Sequence, residues 1–306
     1  MSVMSLSQRY ESISLNEMNY VGISPVRNEA QYIEQTIQSM LNQTIKPAKW
    51  MIVNDGSTDE TAKIIARYAE AHPWLELVNK DNRDNQVDRQ RGKGVIDTFY
   101  FGYERLAGQD YEYIIKLDGD ISFEANYFEF LLEKFRANPK LGIAGGFIHE
   151  KFDGKNWSVR SARHHVGGPA KMYRRACFEA IGGLVPMLGW DGIDEWKALS
   201  LGWQVESFPE VRVWHHRTTG SATGLVKAKI EQGFGAHYMG YHPLYLIARG
   251  LRHMFTRPPY LIGGAVLIAA YFFARLQGRE QLPDPAVTGY VRQTQKKQLT
   301  ALLLGR

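Results

Sequence analysis

Tyr113-Ile-Ile-Lys-Leu-Asp-Gly-Asp120 is an apolar run that ends abruptly in two carboxylates one residue apart. A short apolar stretch stopped by an Asp-Gly pair reads as a buried strand entering a turn. The same device recurs toward the amino terminus. Tyr20-Val-Gly-Ile-Ser24 runs into the polar cluster Pro25 to Glu29, and Lys49-Trp-Met-Ile-Val53 runs into Asn54 to Asp59. Leu75-Glu-Leu-Val78 is a further strand. Helical patterns fill the intervals. Ile33, Ile37 and Leu41 recur at four-residue spacing. Ile64, Ile65 and Tyr68 mark a second helix, which Ser57 and Glu60 open as a capping box and His72-Pro73 closes. A third helix is expected from about Gly94 to Leu106. Strands alternating with helices imply an α/β fold: a mostly parallel, doubly wound sheet flanked by helices. Ligands of such sheets gather at the carboxyl ends of the strands, where the three polar clusters fall.

Beyond Phe147 the pattern loosens around Gly145-Gly146, Gly167-Gly168-Pro169 and Gly182-Gly183. A helix is expected from about Asp194 to Leu201, then strands Trp203–Phe208 and Val211–His215. Pro258-Pro259-Tyr260 precedes an uncharged apolar run, Leu261 to Ala274. As a helix, 259–274 would be about 24 Å long, short of the ~30 Å hydrocarbon core of a bilayer. Arg249, Arg252 and Arg257 precede it and Arg275 and Arg279 follow. Two readings stand: an anchor lying on an anionic inner leaflet, or a buried helix or hairpin docked on the catalytic domain. The chain then divides into a flexible arm over 1–19, an α/β domain over 20–220, and a helical extension over 221–306 that carries the apolar segment.

The 306 residues are 44% hydrophobic and 23% charged, the range of a folded globular chain. A net charge of +5 suits anionic ligands or a lipid surface. No basic run or nucleic-acid motif occurs, so a nucleic-acid partner is not expected. Cys177 is the only cysteine; no intrachain disulfide can form, which suits the cytoplasm. Met1 to Asn19 are polar and lack the apolar stretch of a signal peptide.

Two chemistries suggest themselves. Asp118 and Asp120 can approach one divalent cation, and Mg²⁺ or Mn²⁺ prefers a few carboxylates together with phosphate oxygens. Such a cation neutralises a diphosphate leaving group. Asp55 can accept from a base N–H, and Gly56 lets the backbone approach a ligand. Each motif alone is also an ordinary turn or helix cap.

Taken in order and separation, Ile23-Ser-Pro-Val-Arg-Asn-Glu29, Val53-Asn-Asp-Gly-Ser-Thr-Asp59 and Lys116-Leu-Asp-Gly-Asp120 resemble the family 2 glycosyltransferases. The resemblance covers about Tyr20 to Arg217. It implies the GT-A fold and inverting transfer of a sugar from a nucleoside-diphosphate donor, most often a UDP-sugar, to a hydroxyl of a glycan or lipid-linked acceptor. Pro25, Arg27 and Glu29 would line the nucleotide pocket and Asp55 would read the base. Arg89 or Arg91, with Lys93, would lie in a loop over base and phosphates. Asp118 would contact ribose or metal, and Asp120 the metal. Family members carry a Glu-Asp pair about eleven residues before a glycine. Asp191 stands at that distance from Gly202, with Trp190 in the glutamate's place. Asp191 is therefore the expected base, and Asp194 and Glu195 are alternatives. His215-His216-Arg217 follows a strand. The fold often takes a third metal ligand there, here His215, and Arg217 would meet the diphosphate. Gly240-Tyr-His-Pro-Leu244 resembles tails of bacterial members that build exopolysaccharide or lipopolysaccharide, which points to cell-surface polysaccharide synthesis at the cytoplasmic face of the membrane. The rival readings are a sugar nucleotidyltransferase, although Ser24 to Glu29 has no glycine for a phosphate loop, and a non-catalytic sugar-nucleotide binding protein.

Overall fold

A computed structural model describes residues 18–80, 93–151, 157–159, 162–187, 189–217, 224–256 and 258–304. Arg89, Arg91 and most of the amino-terminal arm lie outside them. The last two residues of the expected arm are packed: Met18 is 3% exposed, and Asn19 accepts from the Glu112 and Tyr113 amides. The chain divides into two compact units, Met1–Thr218 and Thr219–Arg306.

The first unit opens as β1 (Tyr20–Val26), α1 (Ile33–Leu41), β2 (Lys49–Asn54), α2 (Thr61–Ala71), β3 (Leu75–Asn79), α3 (Lys93–Tyr103) and β4 (Tyr113–Leu117). It continues through β5 (Ile121–Phe123), α4 (Tyr127–Ala137), β6 (Leu141–Lys151), β7 (Trp157–Val159), β8 (Ala170–Arg174), α5 (Arg175–Ala180), α6 (Trp190–Ser200) and β9 (Gln204–His215). The sheet runs β3-β2-β1-β4-β8-β6-β9-β5, with β7 on β6. Its first four strands are parallel. β8 enters antiparallel to both β4 and β6, and β9 runs parallel to β6.

Alternation along the strands explains the layers. Tyr20 of β1 packs on one side with Ile33 and Ile37 of α1 and Ile65 of α2. Val21 and Ile23 face the other side with Phe99 of α3, Phe178 of α5 and Ala198 of α6.

One connection shapes the site. β4 and β5 are four places apart in the sheet but separated by only Asp118, Gly119 and Asp120. Four strand spacings in a flat sheet span roughly 19 Å, whereas the chain from Leu117 to Ile121 reaches at most about 14 Å. The sheet must curl to join them. The Thr36 hydroxyl of α1 fixes the turn, 2.9 Å from the Gly119 carbonyl and 2.7 Å from that of Ile121. Gly119 is required by space: a Cβ there would stand 2.8 Å from Val26 Cγ1.

Three local expectations are corrected. The capping box does not form; the cap of α2 makes no side-chain hydrogen bond, because the Ser57 hydroxyl instead accepts from the Asn28 amide at 3.0 Å. The two late strands are one, β9, interrupted where its partners jump from Gly146↔Phe208 to Phe147↔Arg212. Pro209, which has no N–H to give the ladder, lies in the skipped stretch. α6 starts at Trp190 rather than Asp194, so Asp191 belongs to a helix's first turn, not to a glycine-flanked loop, and Asp194 is not a cap.

The second unit comprises α7 (Leu225–Tyr238), α8 (Pro243–Thr256), α9 (Ile262–Leu276) and α10 (Pro285–Leu303). The apolar segment forms α9 after a cis Pro258-Pro259 bond. Its backbone meets its neighbours closely: a Cβ on Gly264 would lie 2.1 Å from the Gly250 carbonyl of α8. Among the described residues, no helix is long and apolar enough to cross a membrane.

Candidate active site

Each polar cluster belongs to a strand end beside β1. The Asp55 amide donates to the Val26 carbonyl at 2.9 Å, which ties the end of β2 to the end of β1. The loop after β1 is stitched to the loop after β2: Thr58 N–H donates to Asn28 Oδ1 (2.8 Å), Glu29 N–H to Thr61 Oγ1 (2.8 Å) and Ala30 N–H to Asp59 Oδ2 (3.1 Å). This holds Pro25, Arg27 and Glu29 next to Asp55 and Gly56. Asp55 is 9% exposed, and Lys80 Nζ lies 3.9 Å from its Oδ1. Lys93 is exposed at the first position of α3. Arg91 lies outside the described residues.

β5 pairs antiparallel with β9 so that Ile121 faces His215, which sets Asp120 beside the imidazole. Asp118, Asp120 and His215 each offer a ligand atom, all within 4.8 Å of one another. His215 Nε2 is 3.3 Å from Asp120 Oδ1, and its Nδ1 is 2.9 Å from Glu150 Oε1. Arg217 Nη2 is 2.5 Å from Glu29 Oε2, and its Nε is 3.6 Å from Asp120 Oδ2. Lys116, nearly buried, pairs with Asp118 and donates to the Gly168 carbonyl at 3.0 Å. The alternation of β9 turns His216 the other way, toward Ser122 Oγ at 2.9 Å and the Tyr32 ring.

These charges lean on one another. Burial, and next the charge of Asp120, push Glu29 up to about 8. Burial and Asp120 likewise raise Asp118 against the pull of Lys116. Burial also disfavours the Asp120 carboxylate, but His215 and Arg217 outweigh it and hold the group below its ordinary value. Burial would lower His215, yet hydrogen bonds to Asp120 and Glu150 push it up to about 10. Two carboxylates and an imidazole suit Mn²⁺ better than Mg²⁺, which prefers all-oxygen shells. The donor set therefore fits the expected cation.

Asp191 and Asp194 part company. Asp191 Oδ2 lies against Gly168, 3.4 Å from where a Cβ on that glycine would stand. Its carboxylate thus sits on the far side of the glycine whose carbonyl Lys116 grips. Asp194 has no exposed side-chain area; Lys171 Nζ is 2.9 Å from its Oδ1 and Tyr173 Oη 2.5 Å from its Oδ2. Glu195 is engaged by Lys171 at 3.0 Å, by the Val166 amide at 2.7 Å and by His165 Nδ1 at 2.9 Å. Neither can reach an acceptor hydroxyl, which corrects Asp194 and Glu195 as alternative bases. Trp190 is core, its ring between the Lys116 and Lys171 ammonium groups at 5.2 and 5.7 Å. Cys177 is buried, its thiol pushed up to about 12 by that burial.

Lys116, Glu150 and Lys171 went unread in the sequence. A lysine inside an apolar strand was a usable signal for Lys116. Nothing local marks the other two.

Residues 23–188 match the family model described as Glycosyl transferase family 2. The poly-beta-1,6-N-acetyl-D-glucosamine synthase of Staphylococcus epidermidis is 24% identical over 232 residues, 69% of this chain and 52% of its own. The chondroitin synthase of Escherichia coli is 28% identical over 165 residues, 50% of this chain and 22% of its own. The chain thus spans about half or less of the length of these relatives. Among solved structures, the mannosyltransferase PcManGT of Pyrobaculum calidifontis with GDP-Man and Mn²⁺ aligns with a TM-score of 0.51 and 20% identity, covering 97% of this chain and 86% of that one. S. aureus TarS 1-349 with UDP aligns with a TM-score of 0.51 and 15% identity, covering 86% and 92%. At such identities the likeness speaks to the fold, which is GT-A.

Proposed function

Because this chain belongs to glycosyl transferase family 2 and is a glycosyltransferase, we propose that its first unit transfers a sugar, with inversion, from a UDP-sugar to a hydroxyl of a glycan or lipid-linked acceptor in cell-surface polysaccharide synthesis. The observation that carries this is the convergence of Asp118, Asp120 and His215 at strand ends shared with Asp55.

Pro25, Arg27 and Glu29 flank the nucleotide, and Asp55 accepts from its base while Gly56 leaves room for it. Lys93, with Arg91, covers the phosphates. Asp118, Asp120 and His215 would hold Mn²⁺, which when bound draws negative charge off the diphosphate. Arg217 adds its guanidinium to the same oxygens. Asp191 takes the proton of the acceptor hydroxyl. That oxygen attacks the anomeric carbon opposite the diphosphate, the bond to the phosphate oxygen breaks, and its electron pair leaves with the nucleoside diphosphate. One in-line displacement inverts the anomeric centre without a covalent enzyme intermediate.

The second unit supports a peripheral membrane contact at the cytoplasmic face. Leu244, Leu251 and Phe255 of α8 are 62, 49 and 74% exposed, and Ile262, Phe273 and Leu276 of α9 are 60, 51 and 86% exposed. Each set recurs at helical spacing, so each helix presents an apolar stripe. Between Glu231 and Glu280 no acidic residue occurs, while Arg249, Arg252, Arg257, Arg275 and Arg279 do. An apolar stripe edged by arginine fits an anionic leaflet.

Transfer assayed with UDP-, GDP- and dTDP-sugars tests the central reading. Turnover of a UDP-sugar dependent on Mn²⁺ is expected. Release of a sugar 1-phosphate with pyrophosphate as co-substrate would instead mark a nucleotidyltransferase, and binding without turnover a non-catalytic protein.

A further inference from the structure

We propose that Glu150 is a positioning residue of the cation site: it holds the His215 ring so that Nε2 faces Asp118 and Asp120. The proposal rests on the cation site described above.

The placement comes from strand register. β6 and β9 are parallel neighbours in which Glu150 stands opposite His215. That pairing exists only because of the jump between Gly146↔Phe208 and Phe147↔Arg212. Continuing the earlier offset without the jump would put Arg212 opposite Glu150. The skipped residues of β9 therefore exchange a guanidinium for an imidazole at this point, and aim that imidazole at the turn between β4 and β5.

The chemistry follows from burial. Glu150 is 2% exposed, and a carboxylate taken out of water that far is tolerated only with a strong partner. Its Oε1 is 2.9 Å from His215 Nδ1. A carboxylate that accepts from Nδ1–H fixes the tautomer with the lone pair on Nε2, stops the ring from turning, and makes that lone pair a better donor. In His215 it is Nε2 that lies 3.3 Å from Asp120 Oδ1. The order carboxylate, imidazole, cation pocket is complete, and its outer member comes from a strand that contributes nothing else to the pocket. A purely structural ion pair would be indifferent to which ring nitrogen is left over.

The test is Mn²⁺ binding to the intact chain, followed by continuous-wave EPR of the free ion without donor or acceptor, and pulsed EPR of the bound ion for nitrogen modulation from His215. Glu150→Ala should weaken Mn²⁺ binding by roughly 10- to 100-fold, the usual cost of losing such an outer partner, and should diminish the nitrogen signal. Glu150→Gln, whose amide oxygen still accepts from Nδ1–H, should fall between wild type and Glu150→Ala and keeps the test valid should the alanine variant unfold. Wild-type affinity and an undiminished nitrogen signal in both variants would overturn the proposal while leaving the cation site standing. No Mn²⁺ binding by the wild-type protein would overturn the cation site and this inference together.

Discussion

Lys171 has no exposed area, yet it stays charged: burial pulls it down, and Asp194, Glu195 and Asp191 together more than compensate. Asp194 and Glu195 are consumed in keeping that cation, which leaves Asp191 as the carboxylate with access to an acceptor. Asp191→Asn should lower kcat by about 10²- to 10⁴-fold, the usual worth of a general base, with the melting temperature unchanged. Asp194→Asn should do the reverse, costing roughly 3–5 kcal/mol of stability because it uncovers a buried charge. An active, stable Asp191→Asn enzyme would remove it as the base. Glu195 adds a pH dependence. Burial pushes its carboxyl up, but Lys171, His165 and the Val166 amide outweigh this and hold it below its ordinary 4.5. A depressed folded value means stabilisation that is complete above the unfolded value and drains away as pH falls through the folded one. The melting temperatures of wild type and Glu195→Gln should therefore converge below about pH 4.5; a constant gap would contradict the ionic account. Asp55, Asp118 and Asp120 were legible in the sequence because each directly follows an apolar strand. Glu150 and Lys171 were not, because their partners lie 65 and 23 residues away.

At the scale of elements, β1 to β4 with their helices could be read from periodicity, because parallel strands covered on both faces are plain apolar runs. The antiparallel half could not. β8 is buried at all five positions yet reads Ala-Lys-Met-Tyr-Arg, since Lys171 and Arg174 find their partners inside. Arg174 alone donates to the carbonyls of Leu141, Phe135 and Asn138. The start of α6 was misread because Gly189 and Gly192 look like a loop, although the helix begins between them. In the second unit, α9 packs on α8 through facing glycines. Gly264→Ala forces a methyl against the Gly250 carbonyl and should cost about 1–3 kcal/mol in denaturant unfolding, as overpacking does. A neutral substitution would show that the two helices are not in such close contact.

For the whole molecule, the curl of the sheet matters most: it brings the fourth and eighth places of the sheet to either side of Asp118-Gly119-Asp120, and so makes one pocket from the ends of β1, β2, β4 and β9. The apolar stripes of α8 and α9 predict behaviour that belongs to the intact chain. It should float with vesicles containing phosphatidylglycerol and much less with pure phosphatidylcholine, and Phe255→Glu with Leu276→Glu should abolish flotation; recovery of the wild type away from anionic vesicles at low salt would refute the contact. The account as a whole stands on a divalent cation between Asp118, Asp120 and His215. Sugar transfer from the preferred donor should therefore be measured after EDTA treatment, after return of Mn²⁺, and in a folded Asp120→Asn enzyme. The account predicts loss with EDTA, recovery with Mn²⁺ and no transfer by the variant; undiminished transfer in EDTA, or by Asp120→Asn, would contradict it.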